Sequence, residues 1–177
     1  MTEKDVVLVE IPFSLDPLLK SEVDAMQGYT VDEAVRLNMA HHPINIIPMS
    51  ENGYVSYAEV LFTSPAAIAL DQTRLVRFLS ATRLGWAWAA AHQDETAKMI
   101  ITKYMPGGSL EEQRLSLAQT IPLINAETKD NRYGEMREDT WDRCIAVFLR
   151  DKHLPTPLAQ KDLVDYSVLK SLDSATK

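Results

Sequence analysis

Cysteine is almost missing from this chain: Cys144 is the only one in 177 residues. An internal disulfide and a cysteine-rich metal site are therefore excluded. Set in an apolar helical stretch, Cys144 reads as a buried structural thiol. A basic excess is missing too. Lys and Arg total 18 against 25 Asp and Glu, a formal net charge of −7. Such a balance lacks the positive face that nucleic-acid phosphates or an anionic membrane surface require. No apolar run reaches the ~18 residues of a membrane span, which argues against membrane insertion. The polar start, Met1-Thr-Glu-Lys-Asp5, is not followed by the uninterrupted apolar run of an export signal.

Sequence signatures of catalysis are equally scarce. Pro106-Gly-Gly108 lacks the lysine and the preceding strand of a phosphate-cradling loop. There is no G-x-S-x-G nucleophile elbow. Of the four histidines, His41 and His42 are adjacent, so on a helix they point about 100° apart and chelate poorly. His92 and His153 sit at expected helix ends, where they complement the dipole. The acidic residues Asp94, Glu95, Glu111 and Glu112 fall in expected first turns and read as helix-start charges. No metal, no cofactor and no enzymatic activity are expected.

What is present reads as α/β. Residues 6–11, Val-Val-Leu-Val-Glu-Ile, form a β-branched run of the kind that suits a strand buried on both faces. Residues 23–26 form a second short apolar run, 44–47 a third and 57–63 a fourth strand candidate. Between them, a helical turn over residues 15–19 and a helix over residues 31–40 are expected, the latter ended by His41, His42 and Pro43. Strand alternating with helix implies crossover connections and a mostly parallel sheet. Beyond Thr63 almost everything is helical. Asp71 can cap a long helix with apolar positions at Leu75, Val76, Phe78, Leu79, Leu84, Trp86 and Ala90. Trp86 and Trp88 fall on two faces of it, one towards the core and one towards an interface. Asp94 can start the next helix, and Ser109-Leu-Glu-Glu112 is a capping box for another. A polar loop over residues 127–135, a helix over 137–149 and a last short helix over 163–172 complete the pass.

One segment stands out, Val23-Asp-Ala-Met-Gln-Gly-Tyr-Thr-Val-Asp-Glu33. Here a strand candidate ends and a helix begins at the capping-box pattern Thr30-Val-Asp-Glu33. In parallel α/β sheets, ligands bind beyond the carboxyl ends of strands. Gly28 permits close approach of the backbone, Tyr29 can stack on a flat ligand, and Gln27 offers directed hydrogen bonds. Glu33 either closes the capping box or accepts hydrogen bonds from a ligand nitrogen. The candidate ligand-binding residues are Gln27, Gly28, Tyr29, Asp32, Glu33 and, after the Asn-Gly turn, Tyr54.

These segments also resemble a family. Val6-Val-Leu-Val-Glu10, Pro17-Leu-Leu-Lys-Ser-Glu-Val-Asp-Ala25 and Gly28-Tyr-Thr-Val-Asp-Glu33 are similar to type 2 periplasmic solute-binding proteins of ABC transporters. The branch is the one of thiamine-pyrimidine-precursor, sulfonate and nitrate binders. Ser21-Glu22 stands where that branch has Gly-Lys, and Asp32-Glu33-Ala34 where it has Asn-Glu-Pro. Residues 75–86 with 91–97, Gly134-Glu-Met136 and Trp141 fit its later helices. The resemblance implies a partial binding-protein fold, its C-terminal half. Residues 1–52 would be the α/β part of the second lobe, 53–63 a hinge strand, and 64–177 the helical end of the first lobe.

The resemblance further implies a small-molecule ligand, an ABC permease as partner and a periplasmic or extracellular location. The lack of an export signal leaves a cytoplasmic one open. Exposed sheet edges in half a fold would favour self-association, or completion by a separate N-terminal lobe. Two other readings stand beside uptake: a ligand-sensing input domain coupled to a signalling output, and a fragment related to thiamine-pyrimidine biosynthesis. The cysteine-rich segment of the family's enzymatic relatives is absent here.

Overall fold

The structure, a computed structural model, describes residues 3–126 and 132–175. Residues 127–131 of the expected polar loop lie outside them. The chain divides into two compact units, Met1–Ile44 and Asn45–Lys177. Seven α-helices are described: α1 (Asp16–Leu19), α2 (Glu33–Met39), α3 (Pro65–Ala91), α4 (Gln93–Lys103), α5 (Leu110–Ala126), α6 (Glu138–Arg150) and α7 (Ser167–Ala175).

The expected sheet is not there. No β-strand occurs among the described residues, so the α/β assignment with a mostly parallel sheet is overturned. Residues 6–11, 23–26, 44–47 and 57–63, the hinge-strand candidate included, carry no regular structure. The reason is physical. A strand exists only through pairing, and its β-branched residues stabilise it only against cross-strand neighbours. No segment of the described chain supplies that pairing. Val7 and Leu8 are consequently 88% and 76% exposed.

The first unit has a small core. Pro17 opens α1, where its missing amide hydrogen costs nothing, and is itself buried. From α2, Ala34, Val35 and Leu37 are buried. The helix stops after Met39, and His41 takes a positive φ of 57° before Pro43 bars any continuation.

The second unit is a helical assembly. α3 begins at Ser64, whose hydroxyl accepts the Ala67 amide hydrogen at 3.1 Å, with Pro65 in the first turn. At Asp71 the backbone leaves the helical region (φ −156°, ψ 73°) and kinks the element. The Asp71 carboxylate then accepts the Arg74 amide hydrogen at 2.9 Å and restarts it, so the expected cap is real but opens only the second part of the helix.

α4 and α5 form a hairpin around Ala97, Leu117 and Ile121, all buried. The turn between them calls for glycine at Gly107 and is crowded at Gly108. Gly107 has φ +90°, and a Cβ on Gly108 would lie 2.9 Å from the Ile101 side chain. Ser109 caps α5 as expected, accepting the Glu112 amide hydrogen at 3.2 Å.

α7 packs along α3, burying Val168 and Leu172. Arg83 fastens the pair. Its guanidinium lies 2.7 Å from the Asp173 carboxylate and donates to the Tyr133 carbonyl at 3.1 Å. α6 carries Glu138 and Asp139 in its first turn and Arg150 in its last, matching its dipole, and buries Ile145 and Val147. The segment before α3 lies on α6 through two tyrosines. Tyr57 meets Trp141 at 5.7 Å between ring centroids and accepts the Arg137 amide hydrogen at 2.8 Å, and Tyr54 meets Phe148 at 6.3 Å.

Candidate functional site

The first unit contains a cavity of about 350 Å³. One wall is the turn Ile11-Pro-Phe-Ser-Leu15; the other is Met26-Gln-Gly-Tyr29 with Glu33 and Arg36 of α2. The turn is set by a hydrogen bond from the Ser14 amide to the Pro12 carbonyl at 2.7 Å. It leaves the Phe13 ring 94% exposed, and Tyr29 is 57% exposed. Two aromatic faces thus stand open at a cavity whose size falls in the range typical of small-molecule sites.

Glu33 organises the second wall, though not as the capping-box pattern implies. Its Oε2 accepts the amide hydrogen of Tyr29 at 2.7 Å, one residue before Thr30. α2 starts only at Glu33, its N-cap is Asp32, and no side chain caps it. The turn through Tyr29 puts the Tyr29 amide nearest the carboxylate, with the Asp32 and Ala34 amides bonded to the Tyr29 carbonyl. Gly28 is explained by the same geometry: a Cβ there would lie 3.1 Å from Glu33 Cβ and 3.3 Å from Oε2.

Arg36 lies between two carboxylates, its Nε 3.0 Å from Asp32 and its Nη2 3.5 Å from Glu33. Both pairs are partly solvated helix-face pairs, each contributing about 0.2–0.5 kcal/mol. The cluster Asp32, Glu33 and Arg36 carries one negative charge in sum, which favours a ligand rich in N–H donors. Glu33 Oε1 has only the long contact to Arg36 and keeps capacity to accept.

Of the residues singled out by sequence, Gln27, Gly28, Tyr29 and Glu33 line one cavity. Asp32 stands behind it, paired to Arg36. Tyr54 does not line it; it belongs to the second unit, where it packs on Phe148. Sequence reasoning missed Phe13, Met26 and Arg36. Arg36 was signalled by its position three residues after Glu33. Phe13 had no signal beyond its place in a proline turn. Among the described residues, no group of three or more His, Cys, Asp or Glu is placed to hold a metal ion, and no helix is long and apolar enough to cross a membrane.

An open cavity with aromatic side chains and a positioned carboxylate in its lining is a candidate ligand-binding site. The comparison with known families agrees: the NMT1/THI5-like model matches residues 1–96, a span that contains every residue lining the cavity. The chain belongs to this family, one of periplasmic binding proteins. No curated protein and no solved structure matches the chain.

Proposed function

We propose that this chain is a solute-binding module for a small planar nitrogen heterocycle, a thiamine pyrimidine precursor or a compound of that shape, serving ABC-type uptake. The observation that carries this reading is the cavity itself. Tyr29 supplies a face for stacking on a flat ring. One Glu33 oxygen is held by the Tyr29 amide, and the other, with only the 3.5 Å contact to Arg36, keeps capacity to accept from an amine or ring N–H. Gln27 adds one acceptor and two donors and can match a heterocycle edge. Arg36 approaches Glu33 only at 3.5 Å.

The ligand-binding residues of this proposal are Gln27, Gly28, Tyr29 and Glu33, with Phe13 as the opposite wall and Asp32 as the partner that orients Arg36. Family membership supports a binding role over catalysis. The proposed partner is an ABC permease that accepts the ligand from this module.

The test is isothermal titration of the full chain with an aminopyrimidine, a flavin, a sulfonate and nitrate. Saturable heat with the aminopyrimidine, weakened about tenfold or more by Tyr29→Ala and by Glu33→Gln, supports the proposal. Binding of nitrate or sulfonate instead would rule out the heterocycle, because the cavity would then be reading an anion.

A further inference from the structure

Helix α3 gives one face to α7 and leaves another bare. Beyond the Asp71 kink, Arg74, Phe78, Ala81, Gly85, Trp88 and His92 are all exposed. Their spacing alternates four and three, the 3.5-residue repeat of a helix-to-helix seam. Leu84, on its flank, is 68% exposed. Nothing among the described residues requires glycine at position 85. A Cβ built there meets nothing within 4 Å and its φ is not positive, yet glycine inside a helix costs about 1 kcal/mol relative to alanine. A glycine in an apolar helical seam is accounted for when another backbone comes close.

We infer that this face joins two copies of the chain, α3 packing antiparallel on α3 of the second copy. The seam is self-complementary about Arg83, as a two-fold interface requires. Ala81 then meets the second copy's Gly85, and Phe78 meets its Trp88. Two crossing helices are closest at the crossing, where small residues are needed, and diverge on either side, where Phe78 and Trp88 fill the gap. Trp88 is already held flat by stacking on His92, with centroids 4.7 Å apart and planes 15° from parallel, so little freedom is lost on docking.

Charge selects the antiparallel direction. The seam starts with Arg74 and Arg77, and the exposed Asp94 and Glu95 follow its far end at the start of α4. Antiparallel packing sets the basic end against the acidic end of the second copy. Parallel packing would set Arg74 and Arg77 beside their own counterparts. Arg74 and Asp94 already pair on the surface with Asp71 and Arg114, through exposed side chains that a second copy's charges can join.

Sedimentation velocity of the full chain across the micromolar range tests this. A concentration-dependent dimer is expected. Gly85→Ala should weaken it at least about tenfold while far-ultraviolet circular dichroism and melting hold or rise, because the added methyl is unopposed in the single chain and favours helix. Arg74→Glu with Arg77→Glu should weaken it too, and adding Asp94→Lys with Glu95→Lys should restore it. A chain monomeric throughout, or a dimer that neither variant changes, would overturn the inference.

Discussion

The Glu33 carboxylate accepts the amide hydrogen of Tyr29 at 2.7 Å, and this bond ties together the two residues on which ligand binding is proposed to rest. Replacing Glu33 by alanine removes the acceptor and frees the turn that aims the Tyr29 ring. The expected loss is about 1 kcal/mol of local stability, the size of a lost helix-start bond. Amide exchange at Tyr29 measures it: the exchange rate should rise several-fold in Glu33→Ala, whereas an unchanged rate would mean that the bond contributes nothing.

Gly28→Ala tests the close approach directly. The new methyl would come within 3.1 Å of Glu33 Cβ, so the Glu33 side chain must shift. The expected result is a weaker ligand complex with little change in the melting of the second unit, which Gly28 does not belong to. Titration of variant and parent with the same aminopyrimidine decides it, and equal affinities would refute the argument.

Arg83 and Asp173 tie α3 to α7, with Arg83 largely buried and also donating to the Tyr133 carbonyl. Hydrogen bonds to charged groups of this kind are worth about 1.5–3 kcal/mol. Arg83→Ala should therefore cost more than Arg74→Ala, whose ion pair with Asp71 is exposed and long at 3.9 Å. Urea melts of the two variants should separate clearly; coincident midpoints would contradict the assignment.

Burial pushes the Cys144 thiol above its ordinary value of 9.0. A raised folded value means that folding favours the neutral thiol. Its contribution to stability is complete below the ordinary value and is lost as pH rises through the folded one. Alkylation of Cys144 by iodoacetamide should accordingly be slower than that of a free thiol at mildly alkaline pH, and equal rates would argue for an exposed thiolate.

Asp165 lies below the ordinary carboxylate value of 3.8, chiefly because its carboxylate accepts hydrogen bonds from Ser167 at the start of α7. A depressed carboxylate stabilises the fold above its unfolded value and loses that stabilisation as pH falls through the folded one. Acid melts of the parent should thus be steeper than those of Asp165→Asn, which has no charge to lose. Identical acid profiles would remove Asp165 from the account.

The helical part of the fold was legible in the sequence because its signals are local. Asp71 and Ser109 cap where their side chains say they should, and Ile145 of the expected apolar side of α6 lies in the core. The sheet was misread because strand formation is not local. The run over residues 6–11 has the composition of a buried strand, yet that composition records only what the segment would do with a neighbour, and no described segment pairs with it. Four of the six singled-out binding residues line one cavity because Gly28, Tyr29 and Glu33 are close in sequence and act within one turn. Phe13 was invisible because the fold, not the spacing, brings its turn against them. Tyr54 does not join them: it lies in the second unit, packed on Phe148.

The most direct measurement is a nitrogen-15 heteronuclear correlation titration of the full chain with an aminopyrimidine. The account predicts saturable shifts concentrated in the amides of Phe13, Gln27, Gly28, Tyr29 and Glu33, with those around Tyr54 and Phe148 unmoved. Saturation without movement at Tyr29 and Glu33, or no saturable shift at all, would contradict it.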